Sequence, residues 1–311
     1  DKDVFPAVKR VVVCELVPEV VTAASRYMAG GEGGHDHTDG LFEDPRVEIL
    51  VEDGRHYLMA TDATFDMINA DLFLPYRSGA GSLYSREHFQ CAKRRLKPGG
   101  VLVQWLPLYQ VTDDEFGVIS RTMLSVFDQV TLWRNNFQPG GEIVAIVGHR
   151  DQTPLPACEL RMTEDKVLSI RGKDWRSLDD LLLPFNEQTA SLFYCGNMTA
   201  AKHLFDGYAI NTDDRPLIEY MAPRSLRKKS GDMLPPTFIG PRLADLVDQL
   251  LEISPPEQDP MLANRTAENR RLPLAGAALH RAWVEYAMGD ARACRRAWAT
   301  FVTEWINHGA A

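Results

Sequence analysis

The chain has 311 residues, 45% of them hydrophobic and 25% charged, as in ordinary globular proteins. A net charge of −9 and a pI near 5.4 argue against nucleic acid as the main partner, because phosphate recognition needs a clustered basic surface. No stretch reaches the roughly eighteen consecutive apolar residues of a membrane-spanning helix, and the five scattered cysteines contain no CxxC pair, which suggests reduced thiols in a cytosolic setting rather than a disulfide framework or a zinc site.

The opening "DKDVFPAVKR" has neither an apolar signal core nor an initiating Met, so the chain is expected to be the later part of a longer polypeptide. "VKRVVVCEL" (8–16) is β-branched and apolar, as in a strand buried on both faces. "PEVVTAASRYM" starts a helix at Pro18, and "AGGEGGHDHTDG" (29–40) is a glycine-rich loop. "RVEILVEDG" predicts a second strand, "RHYLMAT" a short helix and "FDMINADL" a third strand. In "SREHFQCAKRRLKPGG" a Ser cap, an early Glu87, late basic residues and closing glycines delimit a helix. "VLVQWLPL" is a fourth strand, "TDDEFGVISRTMLSVF" a Thr-capped helix, and "QVTLWRNN" with "EIVAIVGHR" a closing pair joined by "FQPGG", short enough for an antiparallel hairpin. Strands alternating with helices predict an α/β fold with a parallel, doubly wound sheet.

Residues 1–150 are therefore expected to form the main domain. Residues 151–224 read as an insertion or lid plus a closing segment, in which "NTDDRPLIEYMAPR" (211–224) is a turn, a short strand and an exit. Residues 225–240 are basic and proline-bearing, a linker, and 241–311 form a helical tail. Within it two amphipathic helices meet at Gly289-Asp290, either a tetratricopeptide-like hairpin or part of a plain bundle.

Ligands of such sheets bind beyond the carboxyl ends of the strands, where Glu15, Asp53 and Asp71 are expected along one rim. The two oxygens of Glu15 match a vicinal diol such as a ribose, although a solvated acid before Pro18 fits equally. Asp53 could accept from an adenine amino group while Gly54 lets backbone approach a ligand; an ordinary Asp-Gly turn is the alternative. Asp71 ends an apolar strand, where loss of hydration must be compensated by a partner or a task. It could hold an ammonium group and accept its proton, or cap the following turn.

These features in order resemble the polyamine aminopropyltransferase (spermidine synthase) family, of class I methyltransferase-like Rossmann fold. The matching stretches are "VVVCELVPEVV", "DPRVEILVEDGRHYL", "FDMINADLFLP", "LYSREHFQCAKRRLKPGGVLVQWLPLY" and "NTDDRPLIEYMAPR". The variant is similar to a bacterial branch often fused to a membrane-embedded N-terminal half. The resemblance implies transfer of an aminopropyl group from decarboxylated S-adenosylmethionine, a co-substrate and not a resident cofactor, to a diamine such as putrescine. It implies Glu15 at the ribose, Asp53 and Gly54 at the adenine, Asp71 as catalytic carboxylate, and residues 75–84 as a flexible closing loop. Tyr84, Gln104, Asp213 and Asp214 are its candidate substrate contacts, and no metal is required. A second Asp of the family is replaced by Leu74, for which Asp213 or Asp214 could substitute. The family's glycine-rich first turn and N-terminal β-hairpin should precede residue 8, so the sheet is expected to lack its first strand: a longer polypeptide supplies it, another chain completes the sheet, or catalysis has been abandoned. The localisation implied is cytoplasmic, as a free protein or the cytoplasmic part of a membrane protein, and a homodimer is a candidate assembly.

Other patterns carry less. His35, Asp36 and His37 alternate in a glycine loop without a third rigid metal ligand. Ser78, Ser82 and Ser85 lie near His88 without a nucleophile elbow. Trp105, Tyr109 and Trp133 read as core or pocket-wall aromatics, and the charge in "SLRKKS" as a solvated linker. A methyltransferase using intact S-adenosylmethionine and a non-catalytic nucleoside sensor or scaffold are the alternatives.

Overall fold

The computed structural model describes residues 7–29, 38, 40–71, 77, 79–137, 139–156, 187–228 and 238–308. Leu74, Ser78, Cys158 and the His35, Asp36, His37 group lie outside them. The described residues fall into two compact units, one up to Asp62 and one from Ala63 onward.

In the first unit, β1 (Val11–Glu15) and β2 (Val47–Val51) pair in parallel, with Glu15 opposite Val51. Helix α1 (Pro18–Ala23) continues as a π turn over Ala24–Met28, and α2 (Gly54–Ala60) follows β2. The apolar run of β1 leads to the expectation of a strand covered on both faces, yet all five of its residues are only half-buried. Two strands cannot cover each other's faces, so composition alone does not bury them.

The second unit holds a five-stranded sheet in the order β3-β4-β6-β5-β7. Its strands are β3 (Phe65–Ala70), β4 (Leu96–Pro107), β5 (Gln129–Arg134), β6 (Ile143–His149) and β7 (Tyr194–Asn197). The β3–β4 pair is parallel, while β6 runs antiparallel between β4 and β5 and β7 pairs antiparallel with β5. The expected antiparallel close is present, and the sheet is mixed. Strand β7 has no clear sequence signal, because "YCGN" is short and contains a glycine.

Helix α3 (Arg86–Arg95) starts where the Ser85 hydroxyl accepts the His88 N–H at 3.2 Å. The chain enters β4 directly from its end, without a glycine cap. Helix α4 (Asp113–Leu124) has a complete capping box between Thr112 and Glu115. Phe89, Phe116, Ile119 and Met123 from these helices are buried with Leu102, Leu106, Leu132 and Ile146 of the sheet. Each such side chain contributes about 1.5–3 kcal/mol relative to exposure.

Helix α5 (Glu187–Leu192) precedes β7, and α6 (Leu217–Lys228) follows the "NTDDRP" turn. The short strand expected in "PLIEYMAPR" is therefore a helix, which also extends into the expected linker. A run with apolar residues at positions 217, 218 and 221 fits a helical face as well as a strand, and periodicity cannot separate the two over so few residues. The tail contains α7 (Pro241–Ile253), α8 (Ala267–Ala287) and α9 (Ala291–His308). Helices α8 and α9 turn back on each other at Gly289, whose φ of 80° favours glycine. No helix among the described residues is long and apolar enough to cross a membrane.

His149 and His280 are among the histidines buried in this unit. Burial lowers both His149 and His280 to about 4. The unfolded forms titrate near 6.5, so an acidified unfolded chain takes up protons that the folded chain refuses. Stability is then full above about pH 6.5 and falls as pH drops toward 4. Between pH 7.5 and 5.0 each histidine should cost about 2 kcal/mol. Urea midpoints at the two values measure this, and His149→Gln should remove about half of the loss. Equal midpoints would refute it.

Candidate functional site

The register of β1 and β2 sets Glu15 beside Val51 at the carboxyl edge of the pair, and the Glu52 N–H donates to the Glu15 carbonyl at 3.1 Å. Glu15, Glu52 and Asp53 therefore gather at one edge of the first unit. The Glu15 carboxylate accepts the Val17 N–H at 2.8 Å, which holds the turn into α1. One oxygen of Asp53 accepts the His56 N–H at 2.9 Å, making Asp53 the N-cap of α2. The ordinary capping role thus exists alongside any ligand role. A Cβ on Gly54 would stand 3.6 Å from the Cys14 Cβ, an ordinary contact. The Cys14 thiol is pushed up by burial and by the nearby acids Glu52, Asp53 and Glu48. Glu52 carries no sequence signal of its own, because nothing in "EDGR" separates a strand-end acid from a solvated one.

Asp71 belongs to the second unit and directly follows Ala70, which pairs with Gln104 of the parallel strand β4. It lies at the carboxyl edge of its sheet, as expected. It is exposed rather than desolvated, because among the described residues β3 pairs with β4 alone and Met67 on it is also open.

Around that edge, Gln104 is fully buried; its Nε2 donates to the Trp105 carbonyl at 3.2 Å, and its Oε1 has no partner among the described residues. The Trp105 indole N–H donates to Asn69 Oδ1 at 3.0 Å, two residues before Asp71. Tyr84 is fully enclosed, and burial raises its hydroxyl well above the usual tyrosine range. An enclosed side chain shapes a site from behind rather than touching a freely diffusing substrate. Asp213 and Asp214 are exposed in the turn before α6, where the Asp213 N–H donates to Glu87 Oε2 at 2.9 Å.

Ser85 is occupied as the cap of α3 and the Ser82 hydroxyl donates to the Gly79 carbonyl at 2.8 Å. Neither is arranged as a nucleophile. Trp133 donates to Thr131 and stacks edge-on against Tyr194, a core role. Among the described residues no group of three acids, histidines or cysteines could hold a metal, and Cys14, Cys91, Cys195 and Cys294 are free thiols.

Residues 4–133 match the family model of the spermine/spermidine synthase domain. That segment is similar to the spermine/spermidine synthase domain over 130 of the 311 residues. The chain is 34% identical over 130 residues to polyamine aminopropyltransferase 2 of Pseudomonas aeruginosa, across 41% of this chain and 36% of that one. It is also 34% identical over 140 residues to the polyamine aminopropyltransferase of Nitrosomonas europaea, across 42% of this chain and 41% of that one. The chain thus spans less than half the length of these curated relatives. A solved spermidine synthase in complex with the transition-state analogue AdoDATO overlaps 46% of this chain and 45% of its own at 22% identity and a TM-score of 0.35. Glu15, Asp53, Gly54, Asp71, Tyr84 and Gln104 all fall inside the matching segment, whereas Asp213 and Asp214 lie beyond it.

Proposed function

We propose that the chain transfers an aminopropyl group from decarboxylated S-adenosylmethionine to a diamine such as putrescine, releasing methylthioadenosine. The observation that carries this is the family match over residues 4–133, with Asp71 at the carboxyl end of a strand inside it. The lone pair of one amine attacks the methylene carbon next to the sulfonium. The carbon–sulfur bond breaks with its electrons going to sulfur, which becomes the neutral thioether of methylthioadenosine. The amine proton passes to Asp71 and from there to water.

In this reading Glu15 accepts the ribose hydroxyls, Asp53 accepts from the adenine amino group, and Gly54 lets backbone close on the ring. Gln104, whose Oε1 has no partner among the described residues, and the enclosed Tyr84 stand behind the amine side and shape it. Asp213 and Asp214 are the candidates for holding the far amine. Most of the rate comes from orientation and from carboxylates facing cationic reactants.

The test is release of methylthioadenosine from decarboxylated S-adenosylmethionine and putrescine, followed by chromatography. Product with the decarboxylated donor and none with intact S-adenosylmethionine is expected. Methyl transfer from the intact donor alone would overturn the reading. Glu15→Gln keeps an oxygen for the Val17 N–H but loses the charged acceptor, so nucleoside affinity should fall about tenfold by calorimetry. Unchanged affinity would remove Glu15 from the nucleoside site.

A further inference from the structure

The "NTDDRPLIEY" motif lies outside the segment that matches the family, and its two polar ends, Asn211 and Glu219, both reach the turn downstream of Asp71. Glu219, in the first turn of α6, spreads its carboxylate over two backbone donors. Its Oε1 accepts the Gly79 N–H at 2.7 Å and its Oε2 accepts the Gly81 N–H at 3.1 Å. Asn211 is fully buried and takes the other side of the turn, its Nδ2 donating to the Gly81 carbonyl at 2.9 Å.

Asn211 is itself held at every polar group. Its Oδ1 accepts the Ile218 N–H at 3.2 Å, its own N–H donates to Thr122 Oγ1 of α4 at 2.9 Å, and its carbonyl accepts the Arg86 N–H at the start of α3 at 2.9 Å. The turn is therefore tied to three helices through one residue. The glycines permit the approach. Gly79 has a φ of +87°, and a Cβ on Gly81 would stand 2.6 Å from the Glu219 nitrogen and 2.9 Å from its Cα. Hydrogen bonds to a carboxylate from two backbone donors are among the stronger ones, and both oxygens must be acceptors.

We propose that Glu219 and Asn211 are positioning residues that fix the Gly79–Gly81 turn and thereby anchor the downstream end of the segment that begins at Asp71. This rests on the proposed function for its kinetic consequence, while the clamp stands on its own geometry. Asp71 directly follows β3, and the clamped turn begins eight residues further along the chain.

Amide hydrogen exchange over 79–84 and steady-state kinetics of the full chain test it together. Glu219→Gln turns one acceptor into a donor facing a backbone N–H. Exchange at Gly79 and Gly81 should quicken about tenfold, and KM for the amine should rise about tenfold with kcat within about threefold. The melting temperature should stay within about 2 °C. Gly81→Ala should quicken exchange and raise KM in the same way by pushing the turn off Glu219, with a lower melting temperature because the overlap is with backbone, and the double variant should be no worse in exchange and KM than Gly81→Ala alone. Unchanged exchange in Glu219→Gln overturns the clamp. Faster exchange with unchanged KM and kcat, or strictly additive effects, overturns the positioning role. Should the wild-type chain transfer nothing, the proposed function falls and the kinetic role with it, while the exchange measurement still decides the clamp.

Discussion

Asp71→Asn should lower aminopropyl transfer roughly a thousandfold while leaving nucleoside affinity within about twofold. The amide nearly matches the carboxylate in shape but carries no charge and cannot take a proton at neutral pH. Both its proposed tasks, holding the ammonium form of the acceptor and removing the proton during attack, are lost together. The nucleoside contacts assigned to Glu15 and Asp53 lie in other strands and turns, so binding should persist. Because Asp71 is exposed, the substitution has little folding to disturb, and the melting temperature should hardly move. Single-turnover release of methylthioadenosine, with calorimetric binding of the product nucleoside, separates the two effects. Turnover within tenfold of wild type would take Asp71 out of the mechanism.

Gly276→Ala should destabilise the second unit by about 3 kcal/mol, against the usual direction for a helix. In an exposed helix interior, replacing Gly by Ala gains about 0.5–1 kcal/mol by restricting the unfolded chain. Gly276 lies within α8 and is buried. A Cβ there would stand 2.0 Å from the Leu192 carbonyl oxygen and 2.8 Å from its carbon. Both are backbone atoms at the end of α5, so no rotamer change relieves the overlap and the two helices must move apart. A fall of several degrees in melting temperature is the readout. Gly207→Ala is the control, since a Cβ there meets nothing within 4 Å. A Gly276→Ala chain as stable as wild type would mean that α5 and α8 do not pack as described.

The sheet strands with strong β-branched or apolar runs were legible, as were the helices with side-chain caps. Ser85 and Thr112 identify helix starts because their hydroxyls accept N–H groups within three residues, an interaction local enough to be written in sequence. The tail hairpin was legible for the same reason, its turn depending on Gly289 and its faces on helical spacing. The candidate acids were also recognisable. Asp71 at a strand end and Glu15 and Asp53 in their turns follow from position in the chain, and their family context follows from motif order.

What stayed hidden depends on partners far away in the chain. Strand β7 is four residues long and exists because β5 offers an open edge, which "YCGN" by itself does not reveal. The short apolar run of α6 is compatible with strand or helix until its neighbours are known. The exposure of Asp71 follows from β3 having one partner among the described residues, a matter of sheet order rather than of residue type. The bonds from Glu219 and Asn211 to Gly79 and Gly81 span most of the second unit, and no local pattern announces them. Sequence by itself determined the local elements, the acids at strand ends and the resemblance of residues 4–133 to a known domain, because caps, periodicity and motif spacing act over a few residues. Only the tertiary structure decided strand order, which acids stay in water and which distant carboxylate holds the turn beyond Asp71, because pairing, burial and long-range hydrogen bonds arise when remote segments meet.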